Sequence, residues 1–520
     1  MSKLFKGQSY NGPKKNVFDL SHEKKLSMNM GKIVPFYLQE IVPGDKFKVS
    51  SEQLIRLAPM IAPMMHRVNV FTHYFFVPNR LVFDKWQDFI TGGTDGKQAP
   101  SFPTIPVNAG NYMFFDKNHL PDYFGIPPVE PGSLTIPAPE FNALPFRAYH
   151  LIYNEYFRDQ TLIAPIEFSI GETVPAEDYP VLTQLRDRCW EKDYFTTAMP
   201  WAQRGDEVLI PTVGAPFAGS YPPTKAVFAD TETQAGQGYF DAEAMTTRRT
   251  GSDAILAGNN QVNIDVHLTD ASQATSASGS INDLRKAVRL QEWLEKNARA
   301  GARYVEQIMA HFGVRSSDAR LQRPEFLGGG INPVVVSEVL STVQTTDLPQ
   351  GNMSGHGISV GHDNAFTKTF EEHGYIIGVM SVLPRTGYQQ GVPRAFLKKD
   401  KFDFFWPEFA NIGEQPVYTQ ELYQDYTSVE NEEIFGYQSR YAEYKFAPNQ
   451  VHGDFRESMA YWQMCRIFSG KPALNEFFVK SDPTHRVFAV TDPNEHKLYV
   501  QIFNKVTAIR PMPQFGTPQL

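Results

Sequence analysis

Few residues of this 520-residue chain stand at the spacings that catalysis or cofactor binding demands. Gly92-Gly93-Thr94-Asp95-Gly96-Lys97-Gln98 has the glycines and lysine of a phosphate loop, whose backbone N–H groups cradle an anion. It is one residue short, and Gln98 stands where a hydroxyl is required, so it reads as a polar surface turn. His356, His362, Asp363 and His373 offer metal-binding side chains in a Gly-rich segment, but their spacing fits no known cage. The pairs Glu371-Glu372 and Glu432-Glu433 read as solvated faces, because nothing brings them to a shared substrate. Cys189 and Cys465 form no CxxC and read as buried, unbridged thiols of a reducing compartment. The chain is read as carrying no GxSxG nucleophile elbow, HExxH, Walker A or GxGxxG. The expectation is a protein that is no enzyme and uses no metal and no cofactor.

The one clustered chemistry is charge. Lys3, Lys6, Lys14, Lys15, Lys24, Lys25 and Lys32 crowd the N-terminal segment, opposed only by Asp19 and Glu23. Lysines on an extended arm neutralise phosphates and release their counterions. Phe5, Tyr10 and Phe18 lie among them and offer rings to unpaired bases. Residues 1–34 are therefore expected to form a basic, extended arm, with Lys3, Lys6, Lys14, Lys15, Lys24 and Lys25 binding nucleic acid. The chain as a whole carries −8, so any such role is local. A solvated terminus with no partner is the plainer alternative.

The elements that must carry these residues read as strands. Aromatics reach 13%, with 39 Phe and 23 Tyr, which favours strands and interfaces over helical bundles. Residues 33–49 hold apolar runs split by Pro43-Gly44. In 66–77 apolar residues fall on both faces of a period-two pattern, which predicts burial between two layers, with Pro78 as its end. Residues 334–343 and the almost wholly apolar 375–383 read the same way. Residues 486–490 and 497–506 flank Asp492-Pro493-Asn494 and predict a hairpin. The proline- and aromatic-rich stretch 98–141 is expected to be a long ordered excursion. Residues 144–160 predict a short helix with Pro145 in its first turn.

From about 205 to 280 the composition shifts to Ala, Gly, Ser, Thr and Gln, a surface insertion with strand-like pieces at 207–212 and 260–268. A long amphipathic helix should follow, starting at Ser280-Ile281-Asn282-Asp283 and stopping near Gly313, with Gly301 as a point of bending. The i,i+4 pairs Glu292–Lys296 and Glu295–Arg299 should support its exposed face, and its Arg285, Arg289, Lys296 and Arg303 should pair with neighbouring acids. The segments are then the arm, 35–204 as the first part of a sandwich, 205–280 as the insertion, and 281–520 as helix, remaining strands and an extended tail. The start MSKLFKGQSY lacks an apolar signal core, and no apolar run approaches the ~20 residues that span a bilayer. No membrane span is therefore expected.

Three stretches carry a likeness. They are EWLEKNARAGARYVEQIMAHFGVRSSDARLQRPEFLGGG at 292–330, LPFRAYHLIYNEYFRDQ at 144–160 and GYIIGVMSVLPRTGYQQGVPR at 374–394. In this order they closely resemble the major capsid protein of the Microviridae, small single-stranded DNA phages, in their gokushovirus branch. The likeness runs from the N-terminal region to the tail and is weakest over 205–280. It implies a mainly β fold, an eight-stranded antiparallel jelly-roll β-sandwich with long loop and helical insertions. It implies a T=1 icosahedral virion of roughly sixty copies, built in the host cytoplasm around circular single-stranded DNA. The partners implied are further copies of the chain, viral DNA, the phage's minor virion, DNA-binding and scaffolding proteins, and a host-cell receptor. The insertion would be the protrusion used in host attachment. Two other classes compete with this reading. One is a carbohydrate-binding β-sandwich module, which would show itself on a glycan array as a monomer. The other is a hydrolase with an unrecognised site, which a substrate screen would reveal.

Overall fold

Alternation of buried and exposed side chains explains most of the architecture. The structure is a computed structural model. It describes residues 14–93, 97, 99–108, 110–129, 139–206, 227–228, 238–241, 246–249, 281–300, 306, 309–311, 317–319, 321–342, 351–427 and 430–515. The chain divides into two compact units, Met1–Arg204 with Glu295–Leu520, and Gly205–Leu294.

In the larger unit the chain opens with β1 (Asn16–Asp19), β2 (His22–Met28), β3 (Lys32–Ile41), β4 (Lys46–Leu57) and β5 (Val68–Pro78). Short strands β6 (Thr104–Pro106), β7 (Glu140–Asn142) and β8 (Arg186–Asp187) follow among small helices. The smaller unit holds β9 (Val227–Phe228), β10 (Gly238–Asp241) and β11 (Thr246–Arg249), an antiparallel sheet in the order β11-β10-β9. The larger unit resumes with β12 (Glu325–Pro333), β13 (Val335–Leu340), β14 (Met353–Thr369), β15 (Gly374–Pro384), β16 (Glu414–Tyr418), β17 (Ile434–Ser439) and β18 (Leu498–Arg510). Two sheets dominate it. One is six-stranded, ordered β1-β18-β4-β14-β13 with β2 also on β18. The other is five-stranded, ordered β12-β5-β15-β3-β8. Their pairings are antiparallel, so the fold is mainly β with few helices.

The sheets share one core. From β4 come Phe47, Val49, Ile55 and Leu57, and from β18 Leu498, Val500, Ile502 and Val506. They meet Val68, Val70, Tyr74 and Phe76 of β5 and Ile376, Met380 and Val382 of β15. The opposite faces of β5 and β15, with Phe75, Val77, Ile377 and Val379, enter a second core. There they pack with Leu144, Phe146, Tyr149 and Ile152 of the helix Leu144–Ile152. The five-stranded sheet is therefore covered on both sides, as the two-faced pattern of 66–77 predicts. Each such buried side chain contributes about 1.5–3 kcal/mol.

The Leu144–Ile152 helix starts where Asn142 Oδ1 accepts the Leu144 N–H at 2.8 Å, with Pro145 in the first turn. Tyr149 Oη donates to the Ile33 carbonyl at 2.7 Å and so ties the helix to β3. Arg147 is wholly buried, and its guanidinium donates to the carbonyls of Val82 and Gly171, each at 3.0 Å. The excursion after β5 supplies Ile105, Val107, Phe115 and Leu120 to the same core.

One expectation changes. The predicted hairpin does not form, because residues 486–490 are no strand. Their hydrogen bonds are spent elsewhere: Arg486 Nε donates to the Ala460 carbonyl at 2.8 Å, and Val487 O accepts from Ile61 N at 3.0 Å. β18 instead pairs with β4 on one side and with β1 and β2 on the other. The predicted extended arm is, over 16–28, sheet structure. The long helix is seen as Ile281–Ala300, with helical residues again at 306 and 309–311. Ser280, Gly301, Arg303, Gly313 and the strand-like pieces at 207–212 and 260–268 lie outside the described residues. On that helix Glu295–Arg299 forms at 3.9 Å, whereas Glu292 pairs with Arg289 at 2.6 Å.

Candidate assembly and nucleic-acid surfaces

The predicted lysines separate into three groups. Lys3 and Lys6, with Phe5 and Tyr10, lie outside the described residues. Lys14, Lys15 and Lys25 are exposed. Lys15 Nζ donates to the Gly44 carbonyl at 2.6 Å, and Lys25 stands 3.8 Å from Glu23. Lys24 turns inward, and its amine donates to the carbonyls of Tyr123 and, at 3.5 Å, Pro35. Burial, partly opposed by Asp122, pushes this amine down to about 8.

Pairing places the exposed lysines on one sheet. In β4, Lys46 and Lys48 point outward while Phe47 and Val49 point to the core. In β18, Lys505 points outward between buried Asn504 and Val506. Ser50 faces Lys505 and Lys48 faces Thr507 across the β4–β18 ladder, and Lys25 faces Gln501 across β2–β18. The outer surface of the six-stranded sheet thus carries Lys25, Lys46, Lys48 and Lys505, with Tyr499 47% exposed beside them. Asp19, Glu23 and Glu52 interrupt the charge, and His362 lies 3.6 Å from Glu52. Sequence reading singled out the first lysines and missed Lys46, Lys48 and Lys505. The apolar–polar alternation at 46–49, and that of 498–508 for Lys505, was the signal that could have found them.

A second surface is aromatic. Phe396, Phe402, Phe404, Phe405, Trp406 and Phe446 are all exposed. Phe405 packs edge-on against Tyr441 with centroids 5.0 Å apart. Lys398 Nζ lies 3.9 Å from the Tyr444 centroid and 3.0 Å from Glu443. Monomers rarely leave so many clustered rings in water, and patches of this kind mark contact sites.

Chemistry-bearing residues remain apart. His362 is exposed on β14, while Asp363 is buried and accepts from Thr72 Oγ1 at 2.5 Å. His373 lies edge-on to Trp86, with ring centroids 5.6 Å apart. Among the described residues no group of three or more His, Cys, Asp and Glu is placed to hold a metal ion. Gly357-Ile358-Ser359-Val360-Gly361 spells GxSxG, which sequence reading overlooked. It lies within β14, not at the strand-to-helix elbow such a nucleophile needs, and Ser359 Oγ donates to the Pro333 carbonyl at 2.9 Å. Cys189 and Cys465 are unbridged, and burial pushes the Cys465 thiol up to about 11, far from a reactive thiolate. No helix among the described residues is long and apolar enough to cross a membrane.

A two-sheet β protein with a broad aromatic surface has the features of a building block that meets other chains. Comparison with known proteins agrees. Residues 10–520 match the family described as "Capsid protein (F protein)", and the chain belongs to that family. It is 35% identical to capsid protein VP1 of Chlamydia phage 1, covering 98% of this chain and 96% of the relative. It is 37% identical to VP1 of Bdellovibrio phage phiMH2K, over 97% and 95%. It is 33% identical to VP1 of Spiroplasma virus 4, over 99% and 97%. The gokushovirus likeness read from the sequence is therefore correct, and this is a structural protein of phage virions, not an enzyme.

Proposed function

We propose that this chain is the major capsid protein of a small phage and self-assembles into a T=1 icosahedral shell around circular single-stranded DNA. The carrying observation is likeness to three VP1 capsid proteins over nearly the whole length of each chain. The exposed ring cluster at 396–406 and 446 supports it, because a closed shell reuses one patch in every copy. Many such contacts, each weak, act together.

The jelly-roll reading draws support from the chain path. β3 lies in one sheet, β4 in the other and β5 in the first again, and β14 and β15 are split in the same way. Eight of the strands, β3, β4, β5, β12, β13, β14, β15 and β18, would form the roll, with β1, β2 and β8 added at its margins. The DNA-facing residues would be the arm lysines Lys3, Lys6, Lys14, Lys15 and Lys25, joined by Lys46, Lys48 and Lys505. Lys24 leaves that set, since its amine is spent on carbonyls. The insertion at 205–280 would decorate the exterior and serve host attachment. Minor virion and scaffolding proteins and a surface receptor would complete the partners.

The test is co-expression with the phage's other virion proteins, followed by electron microscopy. Uniform closed shells with internal density are expected, and a product that stays monomeric would refute the proposal. Shortening 205–280 should preserve shells and reduce adsorption to the host. Lost assembly with intact adsorption would refute the role given to the insertion.

A further inference from the structure

We propose that the cavity walled by Phe157, Arg188, Trp190 and Phe326 is a binding site for one unpaired deoxynucleotide of a DNA strand. The cavity measures about 590 Å³, inside the roughly 300–1,000 Å³ of small-molecule sites. It lies against the outer face of β5, where His73 and Phe75 also line it.

Its charges do not balance. Lys192 pairs with Asp159, Arg323 with Asp318 at 2.7 Å, and Arg385 with Glu191 at 3.3 Å. Arg188 has no carboxylate at ion-pair distance among the described residues, and its Nη1 donates to the neutral Ser381 hydroxyl at 2.7 Å. Its guanidinium lies 3.9 Å from the Phe71 centroid and 5.8 Å from that of Phe157. Burial, offset in part by Glu191, lowers it to about 10, so it keeps its charge at neutral pH. A cation held this way gains from an anion that brings its own charge into the cavity.

The walls ask for a flat ring. His73 stands 5.7 Å from Phe157 and 6.0 Å from Phe326, centroid to centroid. Burial and then Arg188 push His73 down to about 4, so it presents a neutral aromatic face. Phe326 is 43% exposed and leaves its ring open to a stacking partner. Trp190, only 5% exposed, lines the cavity beside them. Phosphate for Arg188 and a base for the rings are together the parts of a nucleotide.

This inference rests on the proposed single-stranded DNA cargo for the identity of the strand, but its test needs no packaging. The unassembled full chain is titrated with thymidine 5′-monophosphate, thymidine, inorganic phosphate and a short oligothymidylate, read by tryptophan fluorescence. The monophosphate and the oligomer should bind, and thymidine and phosphate should each be weaker by about ten-fold or more. Phosphate binding as tightly as the monophosphate would overturn the site as a nucleotide site. Monophosphate binding with the oligomer excluded would overturn a strand as its source. Phe326→Ala should weaken monophosphate binding by about ten-fold in a chain that still folds and melts cooperatively, since that ring is partly exposed. Arg188→Gln should abolish it. If Arg188→Gln fails to fold, Phe326→Ala decides alone, and unchanged affinity overturns the proposal. Failure here with intact shells under the microscope would remove the pocket and leave the capsid reading standing.

Discussion

Lys24→Met should stabilise the subunit at neutral pH and remove a pH dependence that the native chain possesses. The amine is lowered from its ordinary 10.5 to about 8, first by burial, against an opposing pull from Asp122. In the unfolded chain it therefore holds its proton up to about pH 10.5, and in the fold only up to about 8. Between these values the unfolded state binds more protons, so native stability rises with pH through that window. Below pH 8 the full penalty is present, about 3 kcal/mol at 1.36 kcal/mol per unit. Methionine removes that penalty and keeps the apolar stem. It also strips the Tyr123 and Pro35 carbonyls of their donor, which costs about 1–2 kcal/mol. The net expectation at pH 7 is a gain of about 1–2 kcal/mol, shrinking and then reversing as pH approaches 10.5. Denaturant midpoints of the unassembled wild-type and Lys24→Met chains, measured from pH 7 to 10.5, read this directly. Curves that run parallel across the window would refute the reasoning, because the amine would then titrate alike in both states.

Three further outcomes follow from other contacts. Arg510→Met leaves the fully buried Asp45, now paired at 2.9 Å, without its cation and should cost about 3–5 kcal/mol in the same unfolding assay. Gly329→Ala would set a Cβ 2.1 Å from the Thr72 carbonyl and should largely abolish soluble protein, whereas Gly351→Ala, at φ +84 with nothing within 4 Å, should cost only about 1 kcal/mol. Replacing Lys46, Lys48 and Lys505 together by Gln should lower the salt slope of single-stranded DNA binding by about 2, from three phosphate contacts at about 0.7 each, and an unchanged slope would remove this face from the DNA interface.

How far the sequence could be read depends on the reach of each force. Strands announce themselves locally, because side chains alternate every residue and burial acts on each in turn. Lys46–Leu57 shows this, and so does Gly374–Pro384, buried at every position. The Leu144–Ile152 helix, with Pro145 in its first turn, was equally legible. The enclosure of β5 between two layers was visible as rings on both of its faces. Charge was legible only as a count. Lys24 and Lys25 are neighbours in an identical composition, yet one is buried on carbonyls and the other is exposed beside Glu23.

Length, composition and the three long wordings determined by themselves that this is a strand-rich capsid protein without catalytic spacing. Only the tertiary structure decided which lysines of residues 14–28 remain open to solvent. That choice depends on β18, more than 450 residues further along, pairing with β1 and β2. No local pattern in residues 14–28 encodes such a partner. Hydrogen-bonding groups on any edge strand are alike, and only the assembled sheet, with its register fixed by the shared core, selects among them.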